Sequence, residues 1–463
     1  MTTNTELDLA VIGTGGAAMS AAIHARLDGA TVAVVERAEI GGTCVNVGCV
    51  PSKMLLAAAH SRHTAEIQPF AGAPTSAGEV DLAALIAQKD VLVGDLRRTK
   101  YVDIAAAYGF DIIRGEARFT GPDTLLAGGR ELRARAYIVA TGAKPKVPDI
   151  PGLEQVDYLT STTAMELDVL PKSLVVIGGG FVGLEQAQMF AQLGSAVTVV
   201  GRIAPHAEPE LAAELEKALT DDGIRVISDR AARVDDDGGL VRVTTKSNIQ
   251  AVGEHLLVAA GREPRTDGLG LAVAGVATDA RGFVTVDDEQ RTSNPVVFAA
   301  GDVTGAPQYV YVAAATGRVA ARNALGARDR VDYTGLPSVL FTSPQLASAG
   351  MTEAEVIAAE RPCSCRYLPI TDLPRAIVNQ PNIDQQIRGG IKIVADADSG
   401  QVLGIHALAD HAGDMILAAT YAITAGFTVT QLADTWAPYL TTAEGIRLAA
   451  NLFRNELPTS CCA

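Results

Sequence analysis

Two stretches of this chain repeat one pattern of strand, glycine loop, helix and strand, and that repetition restricts the fold more than any other feature. The first stretch is Leu9-Ala-Val-Ile-Gly13-Thr-Gly15-Gly-Ala-Ala18, a helical segment, then Val32-Ala-Val-Val-Glu36. The second is Leu174-Val-Val-Ile-Gly178-Gly-Gly180-Phe-Val-Gly183, a helical segment, then Val197-Thr-Val-Val200. Short apolar runs give way to helical spacing and back, as a parallel βαβ unit requires. A glycine fingerprint alone is a weak signal; a preceding strand, a following helix and a second copy make it strong. Gly13 and Gly178 permit a tight turn, Gly15 and Gly180 let backbone approach a pyrophosphate, and Ala18 and Gly183 let helix and strand pack closely. The free N–H groups of each helix N-terminus then face the phosphates.

The residue ending each second strand separates the two nucleotides. Glu36 lies 36 − 13 = 23 residues beyond Gly13, where a carboxylate binds a ribose hydroxyl of an adenine nucleotide lacking a 2′-phosphate. The equivalent position in the second copy, 178 + 23 = 201, is Gly201, followed by Arg202. With no carboxylate to repel a phosphate and a guanidinium nearby, the second site is expected to take NADPH.

A length of 463 residues suggests about three domains at ~150 residues each. Pro145, Pro148, Pro151 and Gly152 read as a linker, a further change falls near Gly261-Arg-Glu-Pro264, and a third part begins near Pro337. A net charge of -15 argues against nucleic acid or an anionic membrane as partner, because both call for a basic face. No apolar run reaches the ~18 residues of a membrane span, and the first apolar stretch runs straight into a glycine loop, so it reads as a strand rather than a signal peptide. A cytoplasmic protein is expected.

The six cysteines fall in pairs: Cys44 and Cys49, Cys363 and Cys365, Cys461 and Cys462. They are too sparse for a disulfide scaffold, and close pairs in a large chain point to redox or metal chemistry. Gly41-Gly42-Thr43-Cys44-Val-Asn-Val-Gly48-Cys49-Val-Pro-Ser-Lys53 follows the first βαβ unit at once. Cys44 and Cys49 can close a disulfide if the backbone turns between them, which Gly48 would help, and Lys53 would favour thiolate. The terminal Cys461-Cys462 suggests an arm carrying two thiolates for a soft metal ion. Cys363 and Cys365 read as surface or packing cysteines.

The chain resembles the pyridine nucleotide-disulfide oxidoreductases along nearly its whole length. The Gly41-to-Lys53 segment is the most specific match; Ala140-Thr141-Gly142, Ala260-Gly261-Arg262 and Ala300-Gly-Asp302 match other nucleotide-contacting segments. The resemblance implies an α/β fold with two Rossmann-like dinucleotide-binding domains and a C-terminal α+β dimerisation domain. Residues 1–150 and 271–335 would bind FAD, 151–270 NADPH, and 336–463 would form a homodimer with shared active sites. It also implies that Gly42, Thr43, Thr141, Gly142, Gly261 and Asp302 contact cofactor, that Glu185 pairs with Lys53 near the flavin, and that Cys49 faces the flavin while Cys44 meets substrate.

Relatives that reduce disulfides carry His-Pro-Thr-x-x-Glu near the C-terminus, where the histidine shuttles a proton. This chain reads Tyr439-Leu-Thr-Thr-Ala-Glu444, and none of its seven histidines fills that slot. Together with Cys461 and Cys462, Lys100-Tyr101 and Gln308-Tyr-Val-Tyr311, this resembles the mercuric ion reductases. That resemblance implies a substrate of Hg(II) carried as a thiolate complex, tyrosines 101 and 439 lining the metal site, and delivery from Cys461 and Cys462 of the partner chain to Cys44 and Cys49. An attached N-terminal metal-binding domain is not expected. The alternatives are another NAD(P)H-dependent disulfide reductase, of the dihydrolipoamide dehydrogenase kind, and a non-catalytic thiol metal-binding protein.

Overall fold

The computed structural model describes residues 7–67, 69–380 and 386–454. The chain divides into two compact units, one built from residues 1–54, 83–147 and 261–332, the other from 55–82, 148–260 and 333–463.

In the first unit five parallel strands lie in the order Val297–Ala299, Ala134–Val139, Leu7–Ile12, Val32–Glu36, Asp111–Arg114. Both faces of this sheet are covered, which is why its strands are apolar almost without alternation. Leu9 and Val11 pack with helix Gly16–Leu27, whereas Ala10 and Ile12 pack on the opposite face with Phe119, Leu125 and Tyr137. Fully burying each such Val or Leu contributes about 1.5–3 kcal/mol. Helix Gly16–Leu27 packs on helix Val310–Ala324 so closely that a Cβ on Gly317 would stand 2.1 Å from the Ala17 carbonyl oxygen. Ser20 Oγ donates to the Ala314 carbonyl at 2.7 Å across that contact.

The second unit holds a second parallel sheet, in the order Arg225–Ile227, Ala196–Val200, Ser173–Ile177, His255–Val258, Leu159–Thr160, with helix Phe181–Leu193 following its central strand. The same unit carries an antiparallel sheet in the order Pro337–Leu340, Gln345–Gly350, Val402–Ala409, Gly390–Asp396, Cys363–Pro369. One face of that sheet is apolar and buried with helices Ala412–Thr424 and Glu444–Asn451 through Ile391, Ile393, Ile405, Met415 and Ile446. Both strand–loop–helix–strand repeats read from the sequence are therefore present, as are the parallel sheets they require.

The Pro-rich stretch is more ordered than a linker. Ala143–Pro145 pairs antiparallel with Arg262–Pro264, so the chain leaves the first unit and re-enters it along adjacent strands. Beyond it the Pro151 carbonyl accepts the Val234 N–H at 2.9 Å. Among the described residues, no helix is long and apolar enough to cross a membrane.

Candidate active site

The first glycine loop is shaped by backbone collisions that only hydrogen avoids. Gly13 has φ +110, and a Cβ there would lie 2.5 Å from the Ala140 carbonyl oxygen. Gly42, with φ +65, has its own Cβ position 2.6 Å from the Gly15 Cα, so the glycine loop and the cysteine segment touch backbone to backbone. Helix Gly16–Leu27 opens with no side-chain cap and no acidic residue in its first turn, which leaves its N–H groups for an anionic ligand.

Thr14 stands between the two glycines. Its buried hydroxyl donates to the Glu36 carboxylate and accepts the Gly41 N–H at 3.0 Å. One side chain thus ties Glu36 to the loop carrying the cysteines. Glu36 also accepts the Ala38 N–H at 2.8 Å.

Cys44 lies within helix Gly42–Val47 and Cys49 opens helix Cys49–Ile67. Gly48 breaks the helix between them, but its φ is −130; it is bare because a Cβ would press to 2.9 Å on the Thr43 carbonyl. The turn that the sequence assigns to Gly48 is present, and a close backbone approach is what requires the glycine. Asn46 donates to the carbonyls of Ile40 and Gly42, each at 2.9 Å, and accepts from Arg97 Nε at 2.8 Å. The cysteine loop is thereby fixed to helix Leu82–Arg97, another pairing the sequence did not announce.

Cys44 is half-buried and Cys49 exposed, and no disulfide joins them. The Cys44 thiol is pushed well above the usual thiol range, first by its hydrogen bond with Cys49, then by burial and the charge of Cys49. Lys53 favours the thiolate, as anticipated, but its influence is the weakest of these. Helix Leu82–Arg97 continues into a π-helical turn, Arg98–Val102, an irregularity that recurs at functional sites. Tyr101 sits on it, and burial, then the charges of Cys44 and Cys49, push its phenol up to about 12. The phenol therefore keeps its proton at neutral pH.

Asp302 is paired with Arg262 at 3.1 Å, and burial raises its carboxyl while Arg262 opposes that rise. Arg262 also donates to the Ala143 carbonyl, as does Arg265. Thr141 spends its hydroxyl on the Arg265 carbonyl at 2.7 Å, and Gly142 follows with φ +70. Gly261, with φ +109, meets no atom within 4 Å of its Cβ position.

In the second unit, Gly178 has φ +127 and a Cβ there would be 2.3 Å from the Ala259 carbonyl oxygen; Gly183 would meet the Gly178 carbonyl at 2.1 Å. The Gly180 position is open, as an approaching ligand requires. Gly201 has φ +148, and its Cβ would come within 2.9 Å of the Gly179 nitrogen, so the missing carboxylate at 201 has a backbone cause as well. Arg202 is exposed and donates to the Pro205 carbonyl at 3.2 Å. Glu185 is buried and accepts the Phe341 N–H at 3.0 Å. Glu444 is buried at the start of helix Glu444–Asn451, accepting from Arg447 at 3.1 Å and from the Leu440 N–H at 3.3 Å. Leu440 has φ +60, so Glu444 steadies a left-handed turn immediately after the exposed Tyr439. Cys461 and Cys462 lie outside the described residues.

Comparison with known proteins matches the geometry. Residues 7–317 match the model of the pyridine nucleotide-disulphide oxidoreductases, and residues 336–450 match the dimerisation domain of the same group. A mercuric reductase of Streptomyces lividans is 50% identical, covering 99% of each chain. A mercuric reductase of Lysinibacillus sphaericus is 45% identical over 98% of this chain and 84% of its own. Among solved structures, the HOCl-induced flavoprotein disulfide reductase RclA of Escherichia coli, in a Cu(II) complex, superposes with a TM-score of 0.83 at 29% identity, covering 95% of this chain and 98% of that one.

Proposed function

The chain belongs to the pyridine nucleotide-disulphide oxidoreductase family, and from that premise we infer that it is a flavoenzyme that uses NADPH to reduce Hg(II) to Hg(0). The observation that carries the reading is the hydrogen-bonded Cys44–Cys49 thiol pair, fixed beside a dinucleotide loop through Thr14 and Gly42, in a chain so similar to mercuric reductases.

FAD suits the first loop. Gly13, Gly15 and Gly42 leave a cradle that a Cβ would fill, the uncapped helix faces it, and Glu36 offers a carboxylate for the ribose. Ala18, Thr43, Thr141, Gly142, Gly261 and Asp302 complete that site in this reading, and Gly178, Gly180, Gly183 and Arg202 hold NADPH. When bound, the flavin supplies two-electron transfer between nicotinamide and sulfur.

The protein's own residues then do the rest. Cys44 and Cys49 as a dithiol take Hg(II) by ligand exchange: each new sulfur–mercury bond replaces one to a carrier thiolate, and the proton lost by the incoming thiol passes to the departing one. Tyr101, held as a neutral phenol, donates a hydrogen bond to a sulfur and weakens its hold on the metal. Lys53 and Glu185 form the pair beside the flavin, Tyr439 lines the metal site, and Glu444 fixes the turn that presents it. Cys461 and Cys462 of the partner subunit hand over Hg(II), so the enzyme works as a homodimer with shared sites. A thiol-reducing cytoplasm is the compartment that keeps such cysteines free.

The test is Hg(II)-dependent NADPH oxidation by the holoenzyme in excess small thiol. Loss of turnover in Cys44→Ala and a fall in the Cys461→Ala/Cys462→Ala double variant are expected; full turnover in Cys44→Ala overturns the reading. The likeness to RclA favours a second reading, reduction of a disulfide, and parallel assays with lipoamide and glutathione disulfide separate the two.

A further inference from the structure

The Cys363–Cys365 pair has a different setting. Strand Cys363–Pro369 forms the edge of the antiparallel sheet and pairs with Gly390–Asp396 in the register Cys363↔Asp396, Cys365↔Val394, Tyr367↔Lys392. Strand alternation puts Cys363 and Cys365 on one face, opposite to Leu368, which belongs to the large apolar core. On their own face the two cysteines border a small cluster of Val356, Val394 and Leu403. Helix Glu353–Ala358 lies in that cluster through Val356 and brings Glu353 to the thiols.

The ligand atoms of Glu353, Cys363 and Cys365 all lie within 4.8 Å of one another, and each residue is half-buried. The two sulfurs are 3.0 Å apart. Thiolates bound tetrahedrally at ~2.3 Å from a metal stand roughly 3.8 Å apart, a small side-chain rotation from that separation. A disulfide suits the pair less well. Alternate residues of a strand place their Cβ atoms ~6.6 Å apart, against the ~3.5–4.5 Å a disulfide spans.

The surrounding charge also favours a cation. Lys392 bonds Glu208 at 2.7 Å, Glu210 at 2.9 Å and Glu353 at 2.7 Å, three carboxylates on one ammonium. Lys392 and Glu208 are almost fully buried, whereas Glu210 and Glu353 reach solvent, so the cluster carries more carboxylates than its one ammonium neutralises, on the side where an ion can enter. If Glu353 turns to a metal, Lys392 keeps two carboxylate partners and no buried charge is stranded.

We propose that Cys363, Cys365 and Glu353 form a second binding site for a soft divalent cation, of the Cd(II) or Hg(II) class, using none of the residues of the Cys44–Cys49 pair. Binding breaks two S–H bonds, sends two protons to solvent and forms two metal–sulfur bonds, with Glu353 as the oxygen ligand; no electrons move.

The test uses the full-length holoprotein with Cys44, Cys49, Cys461 and Cys462 all replaced by Ser, which leaves Cys363 and Cys365 as its only thiols. Cd(II) alone, in thiol-free buffer, is the probe; thiolate-to-metal ultraviolet absorbance and equilibrium dialysis are the readouts. One Cd(II) per chain is expected, with the absorbance lost in Cys363→Ser and in Cys365→Ser and the affinity lowered about tenfold or more in Glu353→Gln. Flavin content and circular dichroism report whether each variant folds. No Cd(II) bound, or binding that survives Cys363→Ser, overturns the proposal; if the cysteine variants do not fold, unchanged affinity in Glu353→Gln overturns it. Because no turnover is measured, this outcome is separate from whether the enzyme reduces Hg(II).

Discussion

The two glycine loops are built alike up to one position. In each, the first glycine has a left-handed φ and sits against the carbonyl of a later strand: Gly13 against Ala140, Gly178 against Ala259. In each, an extended glycine precedes a helix with no side-chain cap, Gly15 in one and Gly180 in the other. They part at the end of the next strand. The first ends in Glu36, held by Thr14; the second ends in Gly201, whose backbone leaves no room for a Cβ. The turn and the helix N-terminus create a phosphate site in general, and the strand end decides which nucleotide it suits. At 201 the residue is not a free choice, because packing against Gly179 disfavours any side chain there, a carboxylate included.

The largest effects should come from filling the cradles. Gly13→Val adds a side chain at a left-handed φ and against the Ala140 carbonyl, costing about 2–5 kcal/mol from backbone strain and overpacking. The purified protein should lack its flavin absorbance. Gly178→Val meets the same obstacle in the other unit, so it should stay yellow but no longer be reduced by NADPH. Flavin loss in both, or in neither, would break the division of labour between the loops.

Glu36→Ala removes a charged hydrogen-bond acceptor, worth about 1.5–3 kcal/mol, so flavin affinity measured by fluorescence recovery should fall roughly 10- to 150-fold. Arg202→Ala should act more weakly because the side chain is exposed: the KM for NADPH should rise about fivefold, a loss of about 1 kcal/mol, with the KM for NADH unchanged. An equal rise for both would show that Arg202 does not read the 2′-phosphate.

The smallest effect is a pH dependence. The Tyr101 phenol is held at about 12, above the usual ~10, so the folded chain binds that proton more tightly than the unfolded one. Its contribution is fully present below ~10 and is lost as pH rises through about 12. Tyr101→Phe should therefore flatten the decline of denaturant stability across that window, and an identical decline would contradict the burial that raises the phenol.

Much of the fold was legible because its signals are local. Each glycine loop, its flanking strands and the position of Glu36 follow from spacing along a few dozen residues, and the antiparallel C-terminal part follows from resemblance. The missing pieces depend on partners far apart in sequence. Arg97 holds Asn46 across 51 residues, and Arg262 meets Asp302 across 40; no periodicity announces either. Thr14 left a faint signal, a small hydroxyl between two glycines, although its bonds to Glu36 and Gly41 need the folded loop. The cysteines at 363 and 365 read as packing residues because Glu353 reaches them only when the turn at 359–362 folds its helix back on their strand. The influence of Lys53 on Cys44 was anticipated in direction but not in rank, since the sequence does not reveal the hydrogen bond between the thiols.

In the proposed reaction, electrons from NADPH end on mercury. The most direct measurement is trapping of volatile Hg(0) from the holoenzyme supplied with NADPH and thiol-bound Hg(II). Each NADPH carries two electrons, so one Hg(0) should be released for each NADPH oxidised, and none from Cys44→Ala. NADPH oxidation without Hg(0), or release that persists in Cys44→Ala, would contradict it.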